Sequence, residues 1–150
     1  MRVLIFVNFH LLVVTSCSPY GYNFNTMEFV QEWPIVECLE NPLCHDVSRG
    51  NQWTIKGIKA YSQEYGDDLC YCDPVKPFEL SKIKPLVNEL SWQWTSDHVN
   101  PPTNNSLWRL EWEKHGSCLS ESQTLNTEYK YFRQGTTFKD EECIANVFQT

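Results

Sequence analysis

Six cysteines behind an apolar leader constrain this chain more than any other feature. The sequence opens Met1-Arg2, runs apolar from Val3 to Val14 with only Asn8 and His10 interrupting, and then turns small at Ser16, Cys17 and Ser18. One cation, a short apolar stretch and small residues are the pattern of a secretion signal, too short to span a bilayer. Residues 1–18 are therefore expected to be a leader and 19–150 one domain. Cys17 would leave with the leader, and Cys38, Cys44, Cys70, Cys72, Cys118 and Cys143 would remain. An even number of cysteines in an oxidising compartment implies disulfides, with many possible pairings. Asn104-Asn105-Ser106 is a glycosylation sequon at Asn104. No later apolar run is long enough for a membrane span, so a secreted chain, or one held in an acidic secretory organelle, is expected.

The formal net charge is −7, from 12 basic and 19 acidic residues. That excludes a broad basic surface for nucleic acid. It leaves room for a small site where a few cations meet one phosphate. Aromatic residues make up 14% of the chain. Most such rings build cores, and a few can serve as stacking platforms for bases.

No repeat or linker divides the chain. Met27 to Val36 reads as a strand ending near Pro34, and 38–50 as a loop. Trp53 and Ile55 alternate with Thr54 and Lys56, as in a half-buried strand over 52–58. Gly57 would then allow a sharp change of direction. Leu80, Ile83, Leu86, Val87 and Leu90 recur at helical spacing, so 79–93 reads as an amphipathic helix that Pro85 kinks or begins. Asn105 or Ser106 would cap a helix over 107–115, with Gly116 at its end. A last helical segment would hold Tyr129, Tyr131 and Phe132.

The chemistry concentrates in Leu110-Glu-Trp-Glu-Lys-His-Gly-Ser-Cys118. On a helix, Glu111, Lys114 and His115 project from nearly one face. A carboxylate beside an imidazole raises its affinity for a proton, and an ammonium beside both can hold an anion. Base, cation and hydrogen-bonding carboxylate together suit a reaction at phosphate. A solvated helix face would look the same. Trp108 and Trp112 form a separate pair expected to pack inward. His115, Cys118, Cys70 and Cys72 could be written as a zinc set. Their spacing does not match the common ribbons, and an oxidising compartment favours bridges, so no metal or other cofactor is expected.

Trp112-Glu-Lys-His-Gly-Ser-Cys118 resembles the second active-site segment of the ribonuclease T2 family, close to EWEKHGTC. Val30-Gln-Glu-Trp-Pro34 resembles the family's LQ-x-WP strand, with a cysteine following at the expected distance. Cys72-Asp73-Pro74 resembles the segment after the first active-site motif. The likeness runs in order over roughly residues 25 to 135. It implies an α+β fold, an antiparallel sheet with packed helices, and metal-free cleavage of single-stranded RNA to 2′,3′-cyclic phosphate ends. It makes His115 the base, with Glu111 and Lys114 stabilising charge on the phosphorane. Trp108 and Lys59 are the candidate substrate contacts. By the same resemblance Cys38–Cys44 is a local bridge and Cys72–Cys118 ties the two active-site segments. Cys70 and Cys143 are left over and could pair with one another.

The first active-site segment departs from the family's FTIHGLWP. The aligned residues are Trp53-Thr-Ile-Lys-Gly-Ile-Lys-Ala60. Lys56 stands for the first histidine, Lys59 for a base-binding tryptophan and Ala60 for the proline. Leu110 stands where many members carry a further histidine. A lysine holds its proton too tightly to be a good acid near neutrality, since its ordinary pKa is about 10.4. Members of the family also run on past the last helical segment, whereas this sequence ends at Thr150. The resemblance thus implies a sheet short of its last strands, with an open edge. Three readings follow: a slow secreted ribonuclease, an inactive relative that binds RNA or a protein through the same cleft, and a disulfide-stapled interaction module.

Overall fold

A computed structural model describes residues 2–7, 17–18, 23–33, 52–95 and 104–147, with side chains over 23–33, 52–95 and 105–140. Strands β1 (Arg2–Val7), β2 (Cys17–Ser18), β3 (Thr26–Glu32), β4 (Thr54–Ser62) and β5 (Asp67–Leu69) form one sheet in the order β1-β3-β4-β5-β2. The central pairs β3–β4 and β4–β5 are antiparallel. The flanking strands β1 and β2, which lie in the segment expected to be a leader, add in parallel to β3 and β5.

The pairing of β3 with β4 steps from Val30↔Gly57 to Gln31↔Ile55. One residue of β3 therefore faces two of β4, and Lys56 is the extra residue of a β-bulge. The chain does not turn at Gly57, as the sequence suggested. β4 runs through to Ser62. The glycine is needed for a different reason: a Cβ there would run into the carboxylate of Glu111.

The helices lie beside the sheet. Leu80–Leu86 is a 3₁₀ segment with Pro85 inside it, followed by helix α1 (Val87–Gln93). Helix α2 (Asn104–Glu111) starts earlier than the expected cap, and it does not stop at Gly116. It widens into a π turn (Trp112–Gly116) and continues as α3 (Ser117–Leu119). Gly116 is again a matter of space, since a Cβ would overlap the Trp112 ring. Helix α4 (Glu128–Val147) carries Tyr131 and Phe132.

The core sits between sheet and helices. Phe29, Ile55 and Ile58 from the sheet meet Trp94, Trp108, Trp112, Tyr131 and Phe132 from the helical side, all essentially inaccessible. The rings pack edge-on or tilted, with Trp94–Phe132 centroids 4.9 Å apart and Trp112–Tyr131 5.7 Å apart. The Tyr131 hydroxyl accepts from the Ile58 N–H at 3.3 Å and donates to the Ile58 carbonyl at 3.0 Å. Helix α4 is thereby pinned to β4 between Lys56 and Lys59.

Candidate active site

Two segments supply the site. Strand β4 brings Lys56 and Lys59; the helix and its π turn bring Glu111, Lys114 and His115. The bulge breaks strict alternation along β4. Lys56 and Lys59, three residues apart, therefore both act on the Glu111 carboxyl, as does Lys114. Lys59 and Lys114 also act on His115. The five residues named from sequence thus share one electrostatic neighbourhood.

Covalent and backbone links hold the segments together. Cys72 and Cys118 form a disulfide with Cα atoms 4.9 Å apart. The Tyr71 N–H donates to the Lys114 carbonyl at 2.7 Å. Cys70 is also disulfide-bonded, to a cysteine outside the described side chains. The thiols of a zinc set are therefore consumed in bridges. Cys38 and Cys44 lie outside the described residues, as do the side chains of Cys143 and Asn104.

Burial reverses the expected proton affinities. Glu111 is only 9% exposed and its Oε2 makes no hydrogen bond among the described residues. Desolvation pushes its pKa up to about 8, against the pull of Lys114, Lys59 and Lys56. His115 is 4% exposed, with Nδ1 likewise unpartnered among the described residues. Burial first, then the ammoniums of Lys114 and Lys59, push it down to about 3, opposed by a hydrogen bond to the Leu69 backbone. The expectation that Glu111 strengthens the imidazole's hold on a proton is corrected. Near neutrality both groups are uncharged.

The two strand lysines are tied. Lys56 forms an ion pair with Glu32 of β3. Lys59 pairs with Asp68 of β5 at 3.2 Å and faces Glu28 across the β3–β4 ladder. Burial, then the nearby Asp68, raises the Glu28 pKa. Trp108 is not placed to meet a substrate. It is 1% exposed, and its Nε1 donates to the Trp94 carbonyl at 2.9 Å. Sequence reasoning missed Glu32 and Asp68 as partners of the lysines, since pairing across strands depends on register. It also missed Tyr131, whose phenol pKa is raised first by burial and then by the nearby Glu111 carboxyl.

The sequence profile described as the ribonuclease T2 family matches residues 24–150. The chain belongs to the ribonuclease T2 family. It is 33% identical over 126 residues to ribonuclease Oy of Magallana gigas, covering 83% of this chain and 58% of the relative. Extracellular ribonuclease LE of Solanum lycopersicum is 27% identical over 144 residues, 93% of this chain and 62% of that one. Ribonuclease MC1 from bitter gourd seeds superposes with a TM-score of 0.63 at 30% identity, over 75% of this chain and 56% of that structure. A variant of ribonuclease MC1 in complex with 5′-GMP gives a TM-score of 0.67 at 29% identity, over 79% and 59% of the two chains. The α+β fold of the T2 ribonucleases is thereby established for this chain, which spans less than two thirds of the length of these relatives. No helix among the described residues is long and apolar enough to cross a membrane.

Proposed function

We propose that this T2-family chain binds single-stranded RNA at the Lys56–Lys59–Lys114 cluster and cleaves it slowly by transesterification. The convergence of Lys56, Lys59 and Lys114 on the buried Glu111 carboxyl, with Lys59 and Lys114 also acting on His115, carries the reading. In the reaction, the 2′-oxygen attacks phosphorus while its proton passes to His115. The P–O5′ bond then breaks, giving a 2′,3′-cyclic phosphate and a 5′-hydroxyl. Lys114 and Lys56 offset charge on the phosphorane. Glu111, entering uncharged, acts by donating a hydrogen bond rather than as a carboxylate. The weak step is protonation of O5′, because Lys56 stands in place of a histidine and is ion-paired with Glu32. RNA binding by this chain has support in the 5′-GMP complex of its MC1 neighbour.

The second reading is a binding module without turnover, and the burial of His115 and Glu111 favours it. One experiment separates the two. The purified protein is incubated with single-stranded RNA at about pH 5 and about pH 7 and the products are examined for cyclic phosphate ends. Such ends support slow cleavage; RNA retained without them supports the module; neither outcome would sink both.

We further propose that residues 1–18 direct secretion, that Asn104 is glycosylated, and that Cys38–Cys44 form the local bridge. The tomato relative's name, extracellular ribonuclease, supports the secretory route. N-terminal sequencing of protein recovered from medium tests the leader, because an intact Met1 there would exclude cleavage.

A further inference from the structure

Tyr71 has a backbone φ of 48°, the only non-glycine residue in the left-handed region among the described residues. For a bulky aromatic residue that conformation is unfavourable, and glycine would adopt it freely. Three links impose it. Tyr71 lies between two disulfide-bonded cysteines, Cys70 and Cys72, and its N–H is bonded to the Lys114 carbonyl. None of these links needs a side chain at position 71. The residue stays 43% exposed, and its backbone is bonded to the turn that carries Lys114 and His115. Among the described residues the links that hold this backbone make no use of the tyrosine side chain. At the same site, the position where the family places a base-binding tryptophan is Lys59, tied to Asp68.

We infer that Tyr71 is the base-stacking residue of this site, an exposed aromatic residue on an anchored backbone that receives an RNA base next to the phosphate held by the lysines. The inference rests on the RNA-binding reading above. Stacking on an exposed ring is tolerant of base identity, so the preference it confers is for a base over none. The side chain acts on the substrate and the backbone on the fold, so the two roles separate in Tyr71→Gly. Removing the ring relieves the left-handed strain, and the melting temperature should rise. Affinity for a fluorescently labelled single-stranded oligoribonucleotide should fall about 5- to 150-fold, the loss of one stacked base.

Tyr71→Phe should bind as the native chain does, and Tyr71→Leu should bind as weakly as the glycine variant. The leucine variant also serves if Tyr71→Gly does not fold. An oligonucleotide with abasic sugars should bind native and variant proteins equally. Native-like RNA affinity in the glycine or leucine variant overturns the stacking role and leaves the RNA reading standing. Absence of RNA binding by the native chain overturns both.

Discussion

On the helical side of the site, the segment from Trp112 to Cys118 keeps the family's pattern almost residue for residue. On the strand side, Thr54 to Ala60 keeps it at Thr54, Ile55 and Gly57, has Ile58 for a leucine, and changes it at Lys56, Lys59 and Ala60. Burial explains the difference. Trp112, Gly116 and Cys118 are core, and their shapes are dictated by each other. Ile55 and Ile58 are equally buried, and Gly57 must yield to the Glu111 carboxylate. Lys56 and Lys59 are two of the three part-exposed positions of β4, where a cation paired with a carboxylate on the next strand leaves the packing intact. On β4 the buried Thr54, Ile55 and Gly57 are retained, and the part-exposed Lys56 and Lys59 are altered.

Two substitutions probe that contrast from opposite sides. Lys56→His restores a group able to release a proton near neutrality, and should raise RNA cleavage by about 10²–10⁴-fold while leaving the melting temperature nearly unchanged. An unchanged rate, measured as cyclic phosphate ends formed per unit time, would show that the strand side does not limit the reaction. Trp112→Ala removes a ring that is 2% exposed and packed on Gly116 and Tyr131. It should cost about 3–5 kcal/mol of stability in urea titration. A loss below about 1 kcal/mol would mean that the helical half is not the rigid partner.

How far the sequence reveals this site follows the same division. The strands β3 and β4 are legible as apolar stretches and the inward Trp108–Trp112 pair by its four-residue spacing, but the alternation read for β4 fails at Thr54, which is 1% exposed beside the bulge. The role of Gly57 is only half legible. A lone glycine within a strand pattern signals a bulge or a close approach, and the close approach here comes from Glu111, some fifty positions along the chain. Gly116 misleads for the same reason: its small size serves the Trp112 ring, not the end of the helix. The cluster Glu111–Lys114–His115 is plain in sequence, but its proton affinities are not. They depend on burial beneath β4, which no local spacing encodes.

Those affinities give a pH test of the helical half. Glu111 binds its proton more tightly folded than unfolded, so the stability it contributes is complete below its ordinary 4.5 and is lost as pH rises toward about 8. His115 binds its proton less tightly when folded. Its contribution is complete above its ordinary 6.5 and is lost as pH falls toward about 3. The two trends cancel between 4.5 and 6.5, leaving a plateau that falls on either side. At about 1.4 kcal/mol per tenfold change in proton affinity, each fall is on the order of 2 kcal/mol. In thermal melts across pH, Glu111→Gln should flatten the alkaline fall and His115→Asn the acid one. Identical profiles for native and variant proteins would mean that neither group is buried in the folded chain.

The smallest effect is expected on the strand side, where the family's tryptophan is missing. Lys59→Trp supplies a stacking surface worth about 1–3 kcal/mol per base. The same change leaves Asp68, itself only 8% exposed, without its ammonium, and removes a cation from the Glu111 neighbourhood. An unpaired, largely buried carboxylate costs folding stability, more than the roughly 1–3 kcal/mol of a neutral group, while the lost ammonium offsets part of the stacking gain in RNA affinity. Lys59→Trp alone should therefore change RNA affinity by less than about tenfold and should lower stability. Pairing it with Asp68→Asn removes the stranded charge, so affinity and stability should both rise above those of the single variant. If the double variant binds no better than the single one, the ion pair is not what keeps the strand side from stacking a base, and the contrast between the two halves rests on Lys56 alone.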